Sequence, residues 1–225
     1  MQHLSINLRV HEKLYLKDPL SSELGKKIVQ HGVALIESLG FEEFTFKKLG
    51  VDIQSNESSI YRYFESKHQL LLYLINWYWS WMEYQLVFST SGIADAQEKL
   101  GIAVSLLTQK WPDGTLVACM NAAQLQRVII TEAPKAMHTK SIDQENEDGL
   151  FGVYKRVIQR VSDMVTALNP NYAYPHMLIT TVVEGAHQMR LFADHLPTIT
   201  DQVADEAHLV ESFYRDLIQK AILDA

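Results

Sequence analysis

Between Phe41 and Leu71 the chain reads FEEFTFKKLGVDIQSNESSIYRYFESKHQLL. Its densest chemistry lies in the second half. Glu57, Ser58 and Ser59 are short polar residues side by side, of the kind that can approach base edges in a DNA major groove. Tyr61, Arg62 and Tyr63 add two phenol hydroxyls and a guanidinium, which can bond phosphates or bases. Lys67 follows at the start of the next apolar run, where a helix N-terminus also favours a phosphate. No nucleophile and base stand together, so the chemistry on offer is hydrogen bonding and charge rather than catalysis.

These groups can act together only if short helices hold them. Asp18-Pro19 reads as a helix start, and Leu24, Ile28, Leu35, Ile36 and Leu39 then recur at helical spacing until Gly40 ends the helix. A second short helix is predicted from Thr45 to about Ile53. Gln54-Ser55-Asn56 reads as a turn, with Asn56 or Ser55 capping a third helix through Phe64. Ser66 and Gln69 form a capping box that opens a long helix over 67–89, apolar on nearly every side in its first half. Two short helices across a tight turn, packed on a preceding helix, make a helix-turn-helix whose second member enters the groove. Further helices are predicted at about 95–110, 115–132, 142–168, 174–195 and 201–223, with no convincing strand. The last carries Val203, Ala207, Val210, Tyr214, Leu217 and Ala221 as one stripe, and Gly185 inside the helix before it implies close packing there. The expected fold class is all-α: a three-helix N-terminal domain over 1–66 and a helical C-terminal domain over 67–225.

Thr45-Phe46-Lys47-Lys48-Leu49, Ser58-Ser59-Ile60-Tyr61-Arg62-Tyr63-Phe64, Lys67 and Leu70-Leu71 together resemble the tetracycline-repressor (TetR) family over about residues 22–72. The resemblance implies that Thr45 caps the second helix and touches phosphate, and that Lys47 reaches a base or phosphate. It places Glu57, Ser58, Ser59 and Arg62 against bases or nearby phosphates, and Tyr61, Tyr63 and Lys67 on the DNA backbone. Ile60 and Phe64 fall at core positions. Gln54 stands where the family has glycine, which matters if the turn needs positive φ. Asn56 replaces a serine, and Glu57 an often basic or neutral residue. The resemblance also implies a ligand pocket and a four-helix dimer interface in the C-terminal body. Trp77 and Trp81, one turn apart, are the first candidates for the pocket wall, with Trp111, Met120, Tyr154 and Met189 behind them. Val182, Gly185, Ala186, Val210, Tyr214 and Leu217 are the candidates for the interface.

Composition bounds the rest. The 225 residues carry a net charge of -7 and one cysteine, which excludes an intrachain disulfide framework and fits a reducing compartment. Residues 1–67 hold nine Lys and Arg against nine Asp and Glu, so the acidic excess lies wholly beyond them. DNA binding should therefore rest on a few placed contacts in each of two subunits. The histidines show no metal-ligand spacing, Cys119 reads as a small buried apolar residue, and 143–149 (DQENEDG) lacks the final glutamate of a calcium loop. No apolar run is long enough for a membrane span. The expectation is a cytoplasmic homodimeric regulator, a repressor and not an enzyme, without cofactor or metal. It would bind a palindromic double-stranded operator and be released by an apolar or aromatic small molecule. The alternative is a helical sensor or partner-binding protein that has lost operator binding.

Overall fold

The computed structural model describes residues 8, 10–201 and 208–223. Among these the fold is all-α, as expected, apart from one small hairpin. The helices are α1 (Glu23–Leu39), α2 (Phe46–Asp52), α3 (Glu57–Ile60), α4 (Lys67–Thr90) and α5 (Ala96–Thr108). They continue as α6 (Ala122–Met137), α7 (Ile142–Glu147), α8 (Gly152–Leu168), α9 (Pro175–His195) and α10 (Leu209–Leu223). None is long and apolar enough to cross a membrane. Contacts divide the chain into two compact units, residues 1–81 with 111–152 and residues 82–110 with 153–225.

In the first unit Asp18 caps only a 3-10 turn, Pro19–Ser21, accepting from the Leu20 N–H at 2.9 Å. The start predicted at Asp18-Pro19 is thus separate from α1, which Ser22 caps by accepting from the Gly25 N–H. Gly25 permits the doubling back: a Cβ there would overlap the Pro19 backbone. Gly40, at φ 77°, ends α1. Helix α4 is buried at every residue from Leu70 to Ser80, as its all-round apolar surface requires. Gly32 brings α1 onto it beside Leu70, and Trp111 stacks on Tyr78 with ring centroids 4.9 Å apart. The one carboxamide in the run, Asn76, donates to the Leu72 and Leu150 carbonyls, so its burial leaves those donors satisfied.

Two further helices depart from expectation. The hairpin β1 (Leu116–Val117) and β2 (Met120–Asn121), with Leu116 opposite Asn121, occupies the start of the predicted 115–132 helix. Ala118 turns it at φ 55°. The predicted 142–168 helix breaks between α7 and α8, where Gly149 takes φ 83°. Of the predicted 201–223 helix the structure describes α10, Leu209–Leu223; Val203 and Ala207 lie outside the described residues.

In the second unit Glu83, near the end of α4, accepts from Arg156 at 2.9 Å and from Arg160 at 3.0 Å, both on α8. Burial works against its charge, but these bonds outweigh it and hold the carboxyl below the usual range. Helices α9 and α10 meet where Gly185 faces Tyr214; a Cβ on Gly185 would overlap the Tyr214 hydroxyl. His187 and Arg190 are buried on α9, and Arg190 donates to the Thr108 carbonyl. Burial, with the nearby Arg190 charge, pushes His187 down to about 4.

Two outcomes follow. Gly185→Ala should lower stability by about 1–3 kcal/mol through overpacking, and Tyr214→Phe should recover part of that loss by removing the hydroxyl; strictly additive chemical-denaturation values would show that the two do not touch. His187 stays neutral in the folded chain down to about pH 4, whereas the unfolded chain protonates near 6.5. Its contribution is therefore complete above pH 6.5 and falls as pH drops toward 4, by about 3 kcal/mol. His187→Gln should flatten that part of the stability profile relative to the wild type.

Candidate nucleic-acid interface

The predicted helix-turn-helix forms within the first unit. Thr45 caps α2, accepting from the Lys48 N–H at 3.2 Å. The chain leaves α2 so tightly that a Cβ on Gly50 would sit 2.8 Å from the Ser55 carbonyl oxygen. The Ser55 N–H donates back to the Gly50 carbonyl at 2.8 Å, closing the turn. Gln54 takes φ 54°, so this turn does use the left-handed conformation for which the resemblance pointed to glycine. Asn56 occupies the N-cap of α3 with extended backbone, but its side chain makes no capping bond.

The third helix is shorter than predicted. Regular α-helix ends at Ile60, and Tyr61 to Tyr63 form turns, with the Tyr63 and Phe64 N–H groups both donating to the Ile60 carbonyl. Sharing one carbonyl tightens the chain so that Phe64 reaches the core, where Ile60 and Phe64 are fully buried. The tightening also separates the two tyrosines. Tyr61 is 47% exposed, its ring propped edge-on against Phe46 at 5.0 Å. Tyr63 is 4% exposed and its hydroxyl pairs with Ser22 Oγ at 2.8 Å. This corrects the sequence reading, which grouped the two phenols: Tyr63 is committed to the start of α1.

Lys67 also has partners inside the protein. Its ammonium donates to the carbonyls of Phe41 and Glu42 at 2.9 Å and of Phe44 at 3.2 Å, and lies over the Phe41 ring. It thereby fastens the α1–α2 loop to the first turn of α4. The capping box opens α4 with one change from the expected pattern: the Gln69 N–H donates to Ser66 Oγ, while Gln69 Oε1 accepts from the Glu65 N–H at 2.7 Å. Lys47, Ser58, Tyr61 and Arg62 remain exposed around the short helix, with Glu57 and Ser59 half-buried beside them. Lys48 is turned aside to Glu43, donating to its carbonyl at 2.6 Å. The arrangement can offer hydroxyls, one ammonium and one guanidinium to an extended polyanion, with Glu57 as an acceptor among them.

The other candidates scatter. Trp77, Trp111 and Met120 are core residues of the first unit, to which Trp81 also belongs; Tyr154 and Met189 belong to the second. Tyr154 donates to Glu184 at 2.7 Å, and burial together with that carboxylate raises its phenol well above the ordinary range. A cavity of about 560 Å³ lies in the second unit among α5, the end of α8 and α10, and none of the six predicted pocket residues lines it. Its walls include Leu100, Val104, Ile218 and Ile222, which sequence reasoning passed over because aliphatic spacing looks the same on a core face and a cavity face. Gly101, mid-helix on α5, was the available signal. Of the interface candidates, Val182, Ala186, Val210 and Tyr214 are buried within the single chain, and Gly185 packs on Tyr214. Periodicity marks an apolar face without saying which neighbour covers it. Among the described residues no three His, Cys, Asp or Glu side chains are grouped to hold a metal ion.

No protein-family model matches the sequence, and no curated protein matches it. Solved structures do share the fold. A protein described as a transcriptional regulator from Saccharomonospora viridis, solved with choline, has a TM-score of 0.62 at 16% identity, covering 86% of this chain and 94% of its own. AibR, solved with isovaleryl coenzyme A and operator DNA, has a TM-score of 0.55 at 14% identity, covering 87% and 96%. The superantigen PfiT has a TM-score of 0.56 at 16% identity, covering 93% and 98%. The chain therefore shares the all-α fold of these proteins. At these identities the likeness concerns the fold.

The turn geometry yields an expected outcome. A non-glycine residue at positive φ is strained by about 1–2 kcal/mol, and glycine's greater chain entropy offsets part of that relief. Gln54→Gly should raise stability by about 0.5–1 kcal/mol, read as a higher melting temperature; a lower one would mean that the Gln54 side chain itself stabilises the turn.

Proposed function

We propose that the chain is a ligand-responsive transcriptional regulator, a repressor that binds a palindromic operator as a homodimer and is released by a small molecule. The observation that carries this reading is the exposed set Lys47, Ser58, Tyr61 and Arg62 around a short helix and the turn after it, which Ile60 and Phe64 lock into the core. A rigid element presenting only its polar side suits groove insertion. The fold shared with AibR, a structure with operator DNA, supports it. One such helix reads few base pairs, so a twofold dimer is proposed, with residues 1–66 as the reading domain and 67–225 as the sensing and pairing body.

In this reading Arg62, with Glu57, Ser58 and Ser59, meets base edges, while Thr45, Lys47 and Tyr61 meet phosphates. Tyr63 and Lys67 act mainly by position, fixing the start of α1 and the α1–α2 loop. A ligand in the helical body, for which Trp77 and Trp81 are still the proposed wall, shifts the population toward a form whose reading helices no longer match adjacent grooves. A second reading, a sensor without operator binding, draws on the strained Gln54 and on Glu57, whose charge opposes phosphate.

Selection of genomic fragments by the purified protein, followed by footprinting, separates the two. A protected palindrome supports the regulator, and no retained fragment supports the sensor. Given an operator, Arg62→Ala should cost about 1–3 kcal/mol of affinity at a single base position. Lys47→Ala should weaken binding evenly over sequence variants and lower the salt slope by about one. Gel shifts over a salt series check both, and wild-type behaviour in both variants would remove these residues from the interface.

A further inference from the structure

The cavity of the second unit holds an unexplained glycine. Several glycines have a visible reason: Gly25, Gly50 and Gly185 sit where a Cβ would press on a neighbour, and Gly40, Gly92, Gly114 and Gly149 take positive φ. Gly101 has neither reason. It lies inside α5 without a left-handed backbone, and a Cβ added there meets nothing within 4 Å. Glycine at such a place weakens the helix relative to alanine. The empty space over it is the cavity, whose wall it forms.

The cavity's chemistry is divided. Its buried floor is aliphatic, made by Leu100 and Val104 of α5 and Ile218 and Ile222 of α10, and no aromatic ring lines it. Its polar lining residues are satisfied or exposed. Asn169 donates to the Ile222 carbonyl and accepts from the Asn171 N–H. Arg215 is paired with Glu211 at 3.1 Å and donates to Ser105 Oγ. At the rim the exposed Glu98 opposes Arg215 in sign, and the exposed carboxamides of Gln97 and Gln219 offer donors and acceptors together. A volume of about 560 Å³ falls among small-molecule sites.

We infer that this cavity binds an uncharged aliphatic amphiphile, its alkyl chain over Gly101 and its neutral hydrogen-bonding head at Gln97 and Gln219. An aliphatic floor takes an alkyl chain, and a rim that carries one carboxylate, Glu98, and one guanidinium, Arg215, has no net charge to favour an ionic head. The site is apart from the aromatic residues proposed above. The inference rests on the regulator reading only for its use in the cell, because binding can be measured without DNA.

Calorimetry with 1-decanol, decanoate and decyltrimethylammonium on the full chain tests it. Decanol should bind at least tenfold more tightly than either charged analogue. Gly101→Leu and Gly101→Phe fill the space and should weaken decanol at least tenfold, with an unchanged circular dichroism spectrum. Gly101→Ala is too small to fill it, and should raise the melting temperature while keeping decanol binding. Wild-type decanol affinity in Gly101→Leu would overturn the site, and equal binding of the charged analogues would overturn the ligand class. Decanol binding that leaves an identified operator complex intact would keep the site and detach it from regulation.

Discussion

Between Leu70 and Ser80, helix α4 has no side that it can turn to water. Most of the first unit follows from that constraint. A helix apolar all round must be covered all round, and its own N-terminal neighbours cannot do this alone. The hairpin, α6 and α7, far along the chain, belong to the same compact unit as α1 to α3. Their ties to the N-terminal segments are specific: Trp111 on Tyr78, Asn76 to the Leu150 carbonyl, His68 beside Glu145 at 2.7 Å, and Arg127 to Glu37 at 2.6 Å. The apolar burial supplies the energy, and these polar links fix which segments lie where.

The reading element inherits its rigidity from this core. α3 has only four regular residues, too few to be stable alone. Ile60 and Phe64 anchor it from beneath, Gly50 lets the turn close, and the Lys67 ammonium ties the preceding loop to the start of α4. A short helix held this way can present Tyr61 and Arg62 in fixed directions at little further entropic cost. The strain at Gln54 sits in the same corner and is sustained by the packing around it.

The second unit shows a different economy. Glu83 gathers Arg156 and Arg160 into one network, and α9 and α10 pack as closely as Gly185 and Tyr214 allow. Against this close packing, the space above Gly101 stands out as volume the fold leaves unfilled.

Much of this was legible in the residues themselves. The family resemblance raised the cap at Thr45, the core position of Ile60 and the question of positive φ at Gln54, while local rules placed the cap at Ser66, the end of α1 at Gly40, the burial of the first half of α4 and the core position of Phe64. Each depends on groups within a few residues, or on a periodicity that one helix imposes on itself. The sequence could not divide Tyr61 from Tyr63, or send the Lys67 ammonium to three carbonyls, because those outcomes depend on Ser22 and on the 41–44 loop arriving from elsewhere. Nor could it tell a core face from a cavity face, or say whether the stripe holding Val210 and Tyr214 is covered by its own chain. A repeat of apolar residues states that a surface must leave water, and only the tertiary structure decides what covers it.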